Sequence, residues 1–154
     1  MILYIKQEGL SEADSFTVKN DSGMDAYYVE NEYEKAGIKL HIKDIYHNEL
    51  AVVKQKLASL VPCFLVEENG SRMASIKKAI SVFAPHYNVK GPEWTVSGDL
   101  SSHDYTIKKG SRNIAVITRA WFPWGDSYEI DVTDDKNTLL SLAAVLAIDA
   151  ACSP

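Results

Sequence analysis

The stretch from Leu139 to Ala151 has fewer places to go than any other segment of this chain. Wound into a helix, it spreads Leu139, Leu140, Leu142, Val145, Leu146 and Ile148, with alanines between them, over every side and leaves no broad polar face. A helix that is apolar all round has to be buried all round. About 13 residues, interrupted by Ser141 and Asp149, fall short of the ~20 needed to cross a bilayer, so the segment belongs inside the protein's own core. Asp134, Asp135 and Asn137 supply caps and favourable negative charge for its start. The rest of the chain must then form a wall wide enough to surround a helix.

A pattern recurring along the chain describes that wall. It runs apolar, Lys or a stand-in, polar, then a short break, then aromatic, polar, aliphatic. Ile5-Lys6-Gln7 leads to Phe16-Thr17-Val18, and Val53-Lys54-Gln55 leads to Phe64-Leu65-Val66. Ile76-Lys77-Lys78 leads to Tyr87-Asn88-Val89, and Ile117-Thr118-Arg119 leads to Tyr128-Glu129-Ile130. Alternation with period two, broken at Pro or Gly-Asp, makes each copy a pair of strands.

Further strands are expected over Asp25 to Glu30, Ile38 to Lys43, Glu93 to Ser97 and Asp104 to Lys108. Asn69-Gly70 and Lys109-Gly110 sit between alternating runs, where tight antiparallel reversals need a positive φ. The total is about 12 short strands, a number at which an open sheet curls shut and closure disposes of its edges. Such a barrel encloses more space than its own side chains fill, because diameter grows with strand number. A mainly β fold follows: a closed antiparallel barrel around a buried hydrophobic carboxy-terminal helix. With 154 residues and 46% hydrophobic content, the chain is expected to be one domain over 1–154, with strands in 1–132 and the central helix in about 137–151.

Several stretches then carry a family resemblance. Trp94-Thr95-Val96-Ser97-Gly98-Asp99, His103-Asp104-Tyr105, the run from Trp121 to Ile130 and Leu146-Ala147-Ile148-Asp149-Ala150 resemble the signature stretches of the LURP-one-related family, and the similarity runs nearly end to end. That family is similar to the tubby carboxy-terminal domain and the phospholipid scramblases. The resemblance implies a closed twelve-stranded barrel around a hydrophobic helix and, through those relatives, an association with membrane lipids.

Chemistry is harder to find. The four histidines, His41, His47, His86 and His103, share no metal-ligand spacing, and neither Cys63 nor Cys152 has a CxxC partner, so no metal site and no cofactor is expected. No phosphate loop or nucleophile elbow is present, so the chain is not expected to be an enzyme. A net charge of -5 argues against general nucleic-acid binding. In His103-Asp104-Tyr105, adjacent strand residues point to opposite faces, which separates His103 from Asp104 and turns Tyr105 inward.

Asp149 lies near the end of a helix built for burial, where desolvation and the helix dipole both oppose its charge, so it needs a partner. Strand parity places Gln7, Gln55, Lys78 and Arg119 as repeat equivalents at one inward level. Arg119 or Lys78 is therefore expected to meet Asp149, in a pair whose disruption costs about 3 to 5 kcal/mol. The opposite parity carries Lys6, Lys54, Lys56 and Lys77 to the outer wall, a candidate contact for anionic lipid headgroups if it is more than a solvated face. Trp121, Phe122 and Trp124 are expected to pack at a strand reversal, the alternative being a membrane interface.

The function expected from these features is binding without catalysis, to an anionic membrane surface through the lysines or, alternatively, to another protein as an intracellular adaptor. Scrambling is disfavoured because no segment is long enough to span. The amino terminus lacks the pattern of a secretory signal, and the expected location is the cytoplasm, free or peripheral to a membrane.

Overall fold

Alternating side-chain burial along short extended segments resolves into twelve antiparallel strands closed around one helix. The computed structural model describes residues 1–6, 15–34, 37–81, 84–123 and 125–152. The strands are β1 (Ile2–Lys6), β2 (Ser15–Asn20), β3 (Asp25–Glu34), β4 (Gly37–Lys43), β5 (Glu49–Gln55) and β6 (Cys63–Glu68), then β7 (Ser71–Lys78), β8 (His86–Lys90), β9 (Trp94–Asp99), β10 (Asp104–Lys109), β11 (Arg112–Phe122) and β12 (Gly125–Val132). Each pairs with its neighbours in sequence, and β1 pairs with β12 to close the ring.

The repeat maps onto four hairpins: β1–β2, β5–β6, β7–β8 and β11–β12. Ile5, Val53, Ile76 and Ile117, the first residue of each copy, are all buried in the lumen. The aromatic residues Phe64, Tyr87 and Tyr128 are buried too, and register places them directly across from Gln55, Lys78 and Arg119. Turn chemistry holds where it was read: Asn69 (φ 51°) and Gly70 (φ 78°) both take positive φ between Glu68 and Ser71, as a twist-matched two-residue hairpin requires.

The helix α1 runs from Thr138 to Cys152 after a 3₁₀ turn at Asp135–Asn137. Asp134 starts it as read, its side chain accepting a hydrogen bond from the Lys136 backbone N–H at 3.1 Å. Every residue from Leu142 to Ile148 is fully buried. The odd-numbered strands run toward one end of the barrel, the mouth, and α1 starts at the opposite end, the base, and finishes in the mouth. Alanines at 143, 144 and 147 keep the helix thin where inward side chains crowd it, while Leu142 and Leu146 fill the lumen. Leu146→Ala is expected to lower stability by about 2–5 kcal/mol. Ala144→Leu, which overfills the same lumen, should cost about 1–3 kcal/mol. Urea unfolding of both variants checks this; two unchanged midpoints contradict a lumen packed on the helix.

Candidate functional site

Functional side chains gather at the mouth, where the last turn of α1 meets the loops between odd and even strands. Asp149 finds its partner here in His103, whose Nε2 lies 2.9 Å from Asp149 Oδ1. His103 sits in the β9–β10 turn with φ 54°, and its ring stacks on Tyr128 at a centroid distance of 4.0 Å and an interplanar angle of 4°. That left-handed turn folds the imidazole inward although Asp104 beside it is exposed. Tyr105 is buried as read, close behind Gly98, where a Cβ would come within 2.9 Å of the tyrosine's own Cβ. Burial holds the Tyr105 and Tyr128 hydroxyls well above their ordinary pKa, with the Asp149 charge adding to it. The Tyr105 hydroxyl and His103 Nδ1 are buried without a hydrogen-bond partner among the described residues.

The expected pairing of Asp149 with Arg119 or Lys78 is therefore corrected. Parity was right as far as the lumen extends: Ala51 and Val53, Ala74 and Ile76, Ala115 and Ile117 all point into the core. One step further along each strand the lumen has ended, so Gln55 and Lys78 stand half-buried at the rim and Arg119 is exposed. Gln55 instead accepts a hydrogen bond from the Ile38 backbone N–H at 3.2 Å, and Gln7 lies outside the described residues. Trp121 also departs from the packing expected of it, with 76% of its surface exposed, because β11 carries it past the helix end. Trp124 and the Phe122 side chain lie outside the described residues.

The lysines do not form one wall. Lys6 ends β1, while Lys54 and Lys56 belong to the end of β5, with β2, β3 and β4 between. Lys77 stands on β7, beyond β6. What they share is the mouth, toward which β1, β5 and β7 all run. Lys54 is neutralised by Glu67 at 3.0 Å, in line with the outer wall from β3 to β6. There Lys43 pairs with Glu30 at 2.9 Å and Lys39 approaches Glu32 at 3.8 Å, so charges are largely spent on each other. His41 lies between Glu49, bonded to Nδ1, and Glu32, 2.7 Å from Nε2. Burial pulls its pKa down, but the two glutamates outweigh that and leave it above the ordinary value.

A cleft of about 420 Å³ opens in the mouth beside the helix end, lined by Pro62, Lys78, Pro85, Tyr87, Leu100 and Cys152 among others. Burial pushes the Tyr87 hydroxyl up to about 12 and raises the Cys152 thiol as well, the latter aided by Asp149. Both side chains are therefore protonated at neutral pH and act as neutral walls and donors. Among the described residues, no group of three or more His, Cys, Asp or Glu side chains is placed to hold a metal ion. No described helix is long and apolar enough to cross a membrane.

The model of the family described as LURP-one-related matches residues 1–149. The chain is also similar to the uncharacterized protein YxjI of Bacillus subtilis (strain 168), at 24% identity over 147 residues, covering 96% of this chain and 91% of the relative. No solved structure matches.

Two outcomes follow from the pairings. His103→Leu removes the hydrogen bond to a charged, mostly buried carboxylate and should cost about 1.5–3 kcal/mol, whereas Arg119→Met should stay within about 0.5 kcal/mol of the parent. Thermal melts compare them, and a destabilised Arg119→Met beside an unaffected His103→Leu reverses the assignment. His41, with its folded pKa raised, stabilises most below its unfolded value of about 6.5, and that contribution disappears as pH rises through the folded value. The gap in urea midpoint between the parent and His41→Asn should accordingly narrow from pH 6 to pH 9; a constant gap contradicts the linkage.

Proposed function

The chain belongs to the LURP-one-related family, and from that footing we propose that it is a non-catalytic binding module that seats its barrel mouth on anionic phospholipid headgroups at a membrane surface. The observation that carries this reading is the make-up of the mouth. Leu57 and Leu60 in the β5–β6 loop, Ile80 in the β7–β8 loop and Trp121 near the end of β11 are all exposed, Ile80 at 89%. Lys6, Lys56, Lys77 and Arg119 are exposed at the same end, and Lys78 is half-buried beside them. Asp99, Asp104 and Asp126 are exposed at that end too, but Lys56, Lys77 and Lys78 gather with Leu57, Leu60 and Ile80 on its β5–β7 side.

The base supplies the contrast. Exposed Met24, Ile45 and Tyr46 stand there next to Asp21 and Asp44, whereas the base cations Arg72, Lys90, Lys109, Arg112 and Lys136 lie on other turns, away from these apolar tips in sequence. Burying a Leu or Ile side chain at the mouth is worth about 1.5–3 kcal/mol, and each cation near an anionic surface adds about 1 kcal/mol. Neither term suffices alone; four apolar tips with interleaved cations make an interfacial contact. The protonated state of Tyr87 and Cys152 at the mouth fits a role in holding rather than transforming what arrives.

Flotation with vesicles of phosphatidylcholine alone and with added phosphatidylserine, at low and high salt, tests the reading. The parent should float only with the anionic vesicles and lose binding as salt shortens the electrostatic range to a few ångströms. The double variant Lys56→Glu, Lys77→Glu should bind at least about tenfold more weakly. Tyr46→Ser at the base should float like the parent. Failure of the parent to bind either vesicle sinks the proposal and leaves a partner protein as the occupant of the mouth.

A further inference from the structure

The backbone of the helix comes nearest to β5 and β6 on one side of the ring and to β12 on the opposite side. On the arc between β6 and β12, the strands β8, β9 and β10 contribute long aromatic side chains, Tyr87, Trp94 and Tyr105, to the core. At the mouth of that arc, with Tyr87 in its wall, the 420 Å³ cleft opens. That volume lies within the range of about 300–1,000 Å³ typical of sites that enclose a small ligand.

The chemistry of its walls is selective. Pro62, Pro85, Leu100 and the last turn of α1 at Ala151 present apolar surface. Two of the polar groups that face it are donors, and exposed Asp99 is an acceptor that makes its contacts through Oδ1. Lys78 is a cation, and the Tyr87 hydroxyl, on a side chain only 2% exposed, has no hydrogen-bond partner among the described residues. With its pKa at about 12, Tyr87 keeps its proton to donate. Asp99, the acidic group on this wall, already accepts from Ser101 Oγ at 3.2 Å and from the Ser102 N–H at 3.3 Å within its own turn. Two donors, one of them charged, at the edge of an apolar slot suit an oxyanion carried on an alkyl chain.

We propose that this cleft binds a single-chain anionic amphiphile, its carboxylate or phosphate held by Lys78 and Tyr87 and its alkyl chain laid between Leu100, the two prolines and the end of α1. The inference deepens the membrane-surface reading and rests on it: the mouth that meets the headgroups also takes one chain out of that surface. Lys78 binds as a point charge and Tyr87 as a directional donor, so either oxyanion meets the same two groups.

Calorimetric titration with dodecanoate and, separately, dodecyl phosphate, each below its micelle concentration, tests the site without any bilayer, and dodecyltrimethylammonium serves as the cationic control. The parent should bind at least one of the two anions saturably, and the stronger of them identifies the headgroup; the control should not bind. Lys78→Met should weaken binding about tenfold, Tyr87→Phe should weaken it several-fold, and Ala151→Phe, which fills the slot, should abolish it. Circular dichroism of each variant verifies that the barrel is intact. No saturable heat with either anion, equal binding of the cationic control, or Lys78→Met and Ala151→Phe that both bind like the parent overturns the proposal. Flotation of the parent on anionic vesicles without amphiphile binding overturns the cleft alone, whereas amphiphile binding without flotation supports the cleft and overturns the surface reading.

Discussion

One helix without a polar face dictates the rest of this molecule. Water cannot solvate any side of residues 142–148, and the segment is too short to satisfy itself in a bilayer. The wall this chain builds around it is a sheet closed on itself, which also removes the exposed edges that twelve short strands would otherwise present. Inward positions on the strands are then committed to packing against the helix, outward ones are free for charge, and the ends of the barrel are the places where neither demand applies.

Those ends mark the limit of what the sequence made legible. Period-two alternation depends on local backbone geometry, so the repeats located the hairpins and the inward faces of Val53, Ile76 and Ile117 correctly. Parity says which side of a sheet a residue faces, but it does not say where the lumen stops. Extended one step too far, it carried Arg119 into a core that had already ended and missed the exposure of Trp121. Asp149 was rightly read as needing a partner; alternation already set His103 apart from Asp104 and on the side of Tyr105, but the partner was sought among the repeat equivalents, and His103 stands outside the repeat.

The repeat gains meaning from this geometry. Three of the four copies place their polar member opposite their aromatic member, with Gln55 across from Phe64, Lys78 across from Tyr87 and Arg119 across from Tyr128. A buried ring faced by a polar group at the same level is the boundary between lumen and solvent, written into successive hairpins. The mouth is thus a product of the same pattern that builds the wall. Lys78 and Arg119 stand at that boundary, and Lys56, Leu57, Ile80 and Trp121 lie one or two positions beyond it.

Closure by β1 and β12 also sets the order in which this molecule can be made. The strand that seals the ring is the last to leave the ribosome, and the helix that fills it comes later still. A chain lacking them would keep an apolar inner face and an unpaired β1 edge, and the β1–β12 pairing joins residues more than a hundred positions apart. Those are the features that favour mispairing with other copies. The architecture that leaves no edge in the closed barrel therefore depends on β12 and the fifteen-residue helix after it, which together cover the edge of β1 and the apolar inner face.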